Sequence, residues 1–558
     1  MEKYLARNWF CCGVAGLFAL LLWGQTVRYD FVWDDGLYIT QNKGLDSLAN
    51  IPGFFYRNDL QSAEKPSLAY RPIRNTVYAV LRALGGKPEP QPWIFHLANV
   101  LGHAVVCMLL FLTALLLCQR LDAGAGASMP ARMVSLLIAI GYAAHPVNSE
   151  VVCWAKCLDD ILAAIFVLAS AISLLKWQPG GRGLAVSVVW FALAVFSKES
   201  AAPFALAAVL IFRGFHKLPW RQSAKLAVPF FAALFFYVMC RQLVIGRTSQ
   251  CPPLSGSYIQ TLIDMFPVAP DYFRLLWGMP PFCVDYNFMV GAPPHPFFSG
   301  EVQGGLVLLL FFGGLAAWLW AERPDWRMSA FGLIWVGLFM LPVSNLVPMM
   351  QYIAERFLYL PLMGFMLALG GVFLRIPTPL FRAARIPAVA LVVIWTGASL
   401  NRMAIWQDDL TLFVTTELEH PGIKRVERNA VAAVIRLPQI AAERAAITLT
   451  PKQAEPGITI LERARNLYPE NDVLTANLGL VEAKTGRWPK GIALLELATR
   501  QNPGSAERWF ELASACRLGG KPEEAKRACD EALRLDPKLE GAQELRKKLA
   551  SDKISVTK

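Results

Sequence analysis

Apolar residues arrive in long runs through the first four hundred positions and then stop. Runs of roughly 17–25 apolar residues are long enough to cross about 30 Å of hydrocarbon as a helix. The pattern predicts eleven such spans, at about 8–28, 95–118, 132–146, 158–176, 183–197, 200–214, 225–245, 303–320, 329–346, 357–374 and 387–401. The first follows Lys3 and Arg7, and no small-residue cleavage site comes after it, so it reads as a retained anchor and not a signal peptide. Two polar intervals between spans are long, 29–94 and 247–302, and are rich in aromatics and in proline pairs such as Pro252-Pro253, Pro280-Pro281 and Pro293-Pro294. Connections of that length usually carry function.

Beyond residue 400 the period changes. Pro469, Pro503 and Pro537 stand 34 residues apart, the length of a tetratricopeptide repeat, a helical hairpin that buries its apolar face only by stacking on its neighbours. Trp509, Leu512, Ala513, Ala525 and Ala532 fill the packing positions of the last unit; Leu478-Gly479, Leu495 and Ala498 mark the one before, and the unit ending at Pro469 is degenerate in its first half. The expected fold is all-α: a polytopic membrane helix bundle over 1–402, a helical connector or degenerate repeat over 403–455, a repeat α-solenoid over 456–550, and a tail, 551–558.

Composition agrees. The chain is 55% hydrophobic and 17% charged, against about 25% charged for a soluble domain, and its mean hydropathy is +0.39. A net charge of +12 suggests nucleic acid until its location is considered. With the N-terminus inside, Arg120 and Arg132, Lys176 and Arg182, Arg213 to Lys225, Arg323 and Arg327, and Arg375 to Arg385 all fall in inner loops, as the positive-inside bias requires. That topology places both long loops and the repeats on the outer face, the periplasm if the chain sits in the cytoplasmic membrane of a Gram-negative bacterium. The 11 cysteines have no zinc-type spacing and imply neither a metal site nor a disulfide framework; Cys251 and Cys283 share the second long outer loop, where pairing and free thiols are equally open. His103, Cys153 with Cys157, and Cys516 with Cys529 read as packing residues, and Gly313-Gly314 and Gly370-Gly371 as points of close helix contact.

The outer boundary also collects charges of both signs: Asp34-Asp35, Arg71, His145 with Glu150, Lys156 with Asp159-Asp160, Lys198-Glu199 and Glu355-Arg356. One charge at a helix end is cheap, but their convergence suits a polar cavity opening outward. A carboxylate there can take a proton from an incoming hydroxyl. Arg and Lys can hold a phosphate. A polyprenyl-phosphate sugar needs both, its tail lying among the spans.

Several of these segments carry a family resemblance. Phe31-Val32-Trp33-Asp34-Asp35 followed by Tyr70-Arg71-Pro72-Ile73, His145-Pro146-Val147-Asn148-Ser149-Glu150 with Trp154, and Ser197-Lys198-Glu199 resemble segments of the transmembrane and tetratricopeptide-repeat O-mannosyltransferases of the GT-C superfamily. So do Leu275-Leu276-Trp277-Gly278-Met279-Pro280 with Val284-Asp285-Tyr286, Glu355-Arg356-Phe357-Leu358-Tyr359-Leu360-Pro361, and Asn401-Arg402 with Trp406, in the same order along nearly the whole chain. The resemblance implies a GT-C-like bundle and an inverting transfer from a polyprenyl-phosphate hexose to a protein hydroxyl. Asp34 or Asp35 would be the base; Arg71, Lys198, Arg356 and Lys156 would meet donor phosphate or sugar; His96, His145, Glu150, Asp160, Glu199, Glu355 and Tyr352 would line the cavity; and residues 406–550 would engage the acceptor or a partner. Two adjacent Asp also suit a divalent cation, which the resemblance does not require. Three features depart from the family: Leu158 stands where a basic residue is usual, Phe357 replaces a tyrosine, and the repeat array is short. These keep a second expectation in view, a catalytically silent scaffold whose repeats bind a partner complex. A transporter fits less well, because the charges sit at one face and not at the midplane.

Overall fold

A computed structural model describes residues 8–64, 66–86, 89–121, 129–246, 251–286, 293–419 and 458–556, save 460, 463, 464, 467, 468 and 471. All regular elements among them are helical, and the chain divides into two compact units, Met1–Asp409 and Leu410–Lys558.

The first unit is that of an integral membrane protein. Its helices are α1 (Asn8–Trp23), α2 (Pro72–Leu84), α3 (Pro92–Leu121), α4 (Met129–Ala144), the short α5 (Ser149–Cys153), α6 (Leu158–Leu175), α7 (Gly183–Ser197), α8 (Phe204–Phe215) and α9 (Trp220–Ile245). They continue with α10 (Tyr258–Ile263) and α11 (Val268–Leu276) in the second long loop, then α12 (Gly300–Glu322), α13 (Arg327–Met340), α14 (Tyr359–Phe373) and α15 (Thr378–Ala404). Among the described residues eight helical stretches are long and apolar enough to cross a membrane, and α4 with the 146–153 segment, bent by 51°, makes a ninth. The eleven expected spans are therefore not all of full length. The apolar runs at 183–197 and 200–214 form helices of only 15 and 12 residues, about 22 and 18 Å at 1.5 Å per residue. Both stop at the same polar break, Lys198-Glu199 and Pro203, which caps α7 and starts α8.

Two kinds of contact hold the bundle where no hydrophobic drive exists between helices in lipid. Ser170 on α6 and Ser187 on α7 exchange hydrogen bonds at 2.7–2.9 Å. Between α13 and α14 the backbones nearly touch: a Cβ on Gly332 would overlap Gly364 O and lie 2.5 Å from Ala368 N. Gly370 and Gly371 are also tight, against Ile138 and Ser329, as expected of a glycine pair at a helix contact, whereas Gly313 and Gly314 face open space. The first long loop is a chain of short turns ending in α2. That helix buries Arg74, Asn75, Tyr78 and Ala79 and turns the apolar side chains Val77, Val80 and Leu84 the other way. In the second long loop Cys251 and Cys283 are not bonded to each other, and Cys283 Sγ lies 3.1 Å from Asp285 O.

Helix α16 (Asp409–Glu419) starts on the last residue of the first unit and continues into the second, which resumes with the hairpins α17 (Asp472–Lys484)/α18 (Trp488–Gln501) and α19 (Ala506–Leu518)/α20 (Pro522–Leu535), then α21 (Glu540–Val556). Leu495, Ala498, Ala513, Cys516, Ala525, Cys529 and Ala532 form its core, so both cysteines are small packing residues as expected. Trp509 Nε1 donates to Pro503 O at 3.0 Å and Gln543 Nε2 to Pro537 O at 2.7 Å, the same bond one 34-residue step apart. The degenerate repeat before Pro469 and most of the 403–455 connector lie outside the described residues.

Candidate functional site

Alternation of chain direction brings the ends of α1, α3, α4, α6, α7, α14 and α15 that carry the expected charges to one end of the bundle. The first loop lands there. Trp33 adopts φ 54°, and this turn sends the two carboxylates into different surroundings. Asp35 is fully buried; Oδ2 accepts the Val32 N–H at 2.9 Å and Oδ1 the Lys156 N–H at 2.7 Å. Burial pushes its carboxyl up to about 8 against the pull of those two donors. Asp34 keeps a side chain 37% exposed, with Lys156 Nζ 3.4 Å from Oδ2. Lys156 also lies 4.2 Å over the Trp154 ring, onto which Trp33 stacks at 4.7 Å.

Beside this pair lies an ion network centred on the buried Asp159. Arg71 reaches it at 2.5 Å, Lys198 at 3.3 Å and Arg74 at 3.4 Å. Arg71 continues to Glu199 at 2.9 Å, and Lys198 also bonds Asp160. Burial works against the Glu199 charge, but Arg71 overrides it and holds that carboxyl down at about 2. Lys198 is likewise disfavoured by burial, yet Asp159 and Asp160 raise it. Arg356 pairs with Glu150 and Gln351, its guanidinium 5.6 Å from the Trp154 ring. The buried Glu355 takes Arg402 at 2.9 Å and accepts from Tyr286 Oη and Cys283 N–H.

Asp34, Asp35, Arg71, Lys156, Asp160, Lys198 and Glu199 are thus brought together, with Arg356 near the Trp154 ring and paired to Glu150; Glu355 pairs instead with Arg402. Three expected lining residues stand apart. His96 is buried with Nε2 3.2 Å from Asp30 O. His145 is fixed between Leu276 O and the Val147 N–H, edge-on to Trp395. Tyr352 bonds Ser255 at 2.5 Å, in a separate cluster with Asp264 and His295. Arg74, Asp159 and Arg402 are central to the networks; Arg74 is not among the residues named from sequence, and Asp159 and Arg402 appear there only within charged or family-resembling segments, with no role in the site. Arg74 has a signal in the sequence, three residues on from Arg71 and in the first turn of the helix that Arg71 caps; the pairing of Arg402 has none, because its partner lies 47 residues away. Leu158, the departure from the expected basic residue, is buried at the start of α6.

The donor set does not fit a divalent cation. Both Asp35 oxygens are taken by backbone N–H groups, an ammonium already adjoins Asp34, and no group of three His, Cys, Asp or Glu among the described residues is arranged to hold a metal ion.

A polytopic helical membrane unit with a mixed-charge cluster at one end, followed by stacked helical hairpins, defines a membrane protein with a repeat-bearing appendage. The tetratricopeptide repeat family matches residues 506–539. The chain is a distant homologue of the TMTC proteins. It is 22% identical over 450 residues to human "Protein O-mannosyl-transferase TMTC3", covering 72% of this chain and 47% of that protein. It is 29% identical over 192 residues to mouse "Protein O-mannosyl-transferase TMTC4" (33% and 26%) and 29% identical over 168 residues to mouse "Protein O-mannosyl-transferase TMTC2" (29% and 18%). The chain spans about half the length, or less, of these curated relatives.

Proposed function

We propose that the chain is a membrane glycosyltransferase that moves a hexose from a polyprenyl-phosphate donor to a hydroxyl of a protein acceptor on the outer face, with inversion and with Asp34 as general base. The short helices α7 and α8 complete eleven crossings in this reading, so that the chain enters from the inside and the repeats lie outside. The observation that carries it is the division of labour within the acidic pair: Asp34 is accessible and beside a cation, while Asp35 is sealed under the backbone. A base must reach the proton it removes, so geometry ranks the two before acidity does. The Asp34 carboxylate takes the proton of the acceptor hydroxyl as that oxygen attacks the anomeric carbon, and the bond from that carbon to the lipid phosphate breaks, the phosphate departing toward Lys156, Arg71 and Lys198, whose charge stabilises the leaving oxygen. The repeats supply the surface that engages the acceptor protein. The name shared by the relatives points to mannose and to protein acceptors.

The test is reconstitution of the full chain with polyprenyl-phosphate mannose and a Ser/Thr peptide, reading a one-hexose mass gain. One observation favours the alternative, a silent scaffold. Arg71, Lys198 and Arg356 are each already neutralised by acids of the chain, so an incoming phosphate has to compete with Asp159, Asp160, Glu199 or Glu150. Absence of transfer, with a partner protein retained through residues 406–550, would decide for the scaffold.

A further inference from the structure

A base works only if it is held still, and the backbone beside Asp34 is in a conformation that its own residue type does not favour. Trp33, at φ 54°, occupies the left-handed region that bulky side chains rarely take. Such a residue persists only where its surroundings impose it. Two contacts do so here. The Trp33 ring stacks on Trp154 within 10° of parallel, and the Trp33 N–H donates to Asp409 Oδ1 at 2.7 Å, across 376 residues of chain. The flanking residues repeat the connection. Asp30 N–H donates to Gln407 O at 3.0 Å, and Trp406 packs on the other partner of the stack, its ring 5.8 Å from that of Trp154. Residues 406–409 therefore form a strap under residues 30–33.

We propose that Asp409 is a positioning residue for the base, an inference that rests on the reading of Asp34 given above. Its carboxylate fixes the Trp33 N–H and so the left-handed turn. Without that acceptor the turn relaxes toward negative φ, and the Asp34 carboxylate swings out of line with the acceptor hydroxyl while Asp35 stays under its own two donors. Asp409 is also the first residue of α16, so the chain leaves the first unit from the strap itself.

The experiment uses the full chain in lipid with polyprenyl-phosphate mannose and a Ser/Thr peptide, comparing Asp409→Ala and Asp409→Asn with wild type, alongside amide hydrogen exchange. Asp409→Ala is expected to lower kcat at least tenfold with the donor KM within twofold and the melting temperature unchanged, and to speed exchange at Trp33 but not in α6. Asp409→Asn keeps an acceptor oxygen and is expected to recover most of the rate. Wild-type kcat in Asp409→Ala overturns the proposal, as does a parallel fall of kcat and melting temperature that Asp409→Asn fails to rescue. Unchanged exchange at Trp33 also overturns it, because the carboxylate then does not hold that N–H. No transfer by the wild-type chain overturns the base reading and the positioning role with it.

Discussion

Substitutions at Asp34 and Asp35 separate chemistry from architecture. Asp34 is more than a third exposed and its ion pair is long, at 3.4 Å, so Asp34→Asn should cost no more than about 0–1 kcal/mol of stability. Loss of a general base lowers rate about 10²- to 10⁴-fold, roughly 3–5 kcal/mol on the barrier. Asp35→Ala has the opposite profile. It strips the acceptors from two buried backbone N–H groups, at about 1–3 kcal/mol each, so stability should fall by about 2–6 kcal/mol. Transfer is read as hexose added to a Ser/Thr peptide, and stability as thermal unfolding followed by tryptophan fluorescence. Asp35 also predicts a pH slope. Its folded value of about 8 lies above the ordinary 3.8, so the folded state keeps a proton that the unfolded chain releases. The Asp35 contribution therefore falls as pH rises from about 4 to 8 and is constant above that; Asp35→Asn removes the slope. An Asp34→Asn protein that transfers at the wild-type rate, or an Asp35→Ala protein as stable as wild type, refutes the division of roles.

Three further outcomes are expected. Asp159→Asn leaves Arg71, Arg74 and Lys198 facing a neutral group in a buried site, and should cost about 3–5 kcal/mol, seen as loss of monodisperse protein in size-exclusion chromatography. Gly332→Leu should abolish the folded protein, because its Cβ meets the backbone of α14, while Gly313→Leu, with nothing within 4 Å, should behave as wild type in the same assay. Glu199 is held at about 2 against an ordinary 4.5, so its pairing with Arg71 stabilises the fold above about 4.5 and is lost as pH falls from there toward 2. Melting temperature should therefore drop less steeply with acid in Glu199→Gln than in wild type.

Eight or nine of the eleven expected spans and the last repeat were legible because each is a local pattern. A hydrocarbon-length apolar run and a 34-residue period need no knowledge of distant residues. The charged clusters were legible as a set, since all lie at helix ends that alternation of direction brings together. Their pairings were not: Arg71 and Asp159 are 88 residues apart, and Glu150 and Arg356 are 206 apart. Nor was the difference between Asp34 and Asp35, which depends on one left-handed residue imposed by contacts at residue 409. His145 and Tyr352 were also expected by position alone. They lie beside charged residues in sequence, but backbone carbonyls and a second-loop serine claim their polar atoms.

With the buried Asp35 held protonated, the charges of the cluster balance. Asp34, Glu150, Asp159, Asp160, Glu199 and Glu355 face Arg71, Arg74, Lys156, Lys198, Arg356 and Arg402 in pairs a few ångströms apart. Opposite charges so closely interleaved cancel beyond their immediate neighbourhood, and no net field extends a Debye length, about 8–10 Å, into the water. The cluster is therefore a poor lure for anions in bulk solution, since long-range steering needs an excess of one sign. The lipid-linked donor proposed above would reach it by lateral diffusion in the bilayer, with an occupancy that follows its mole fraction and responds little to ionic strength.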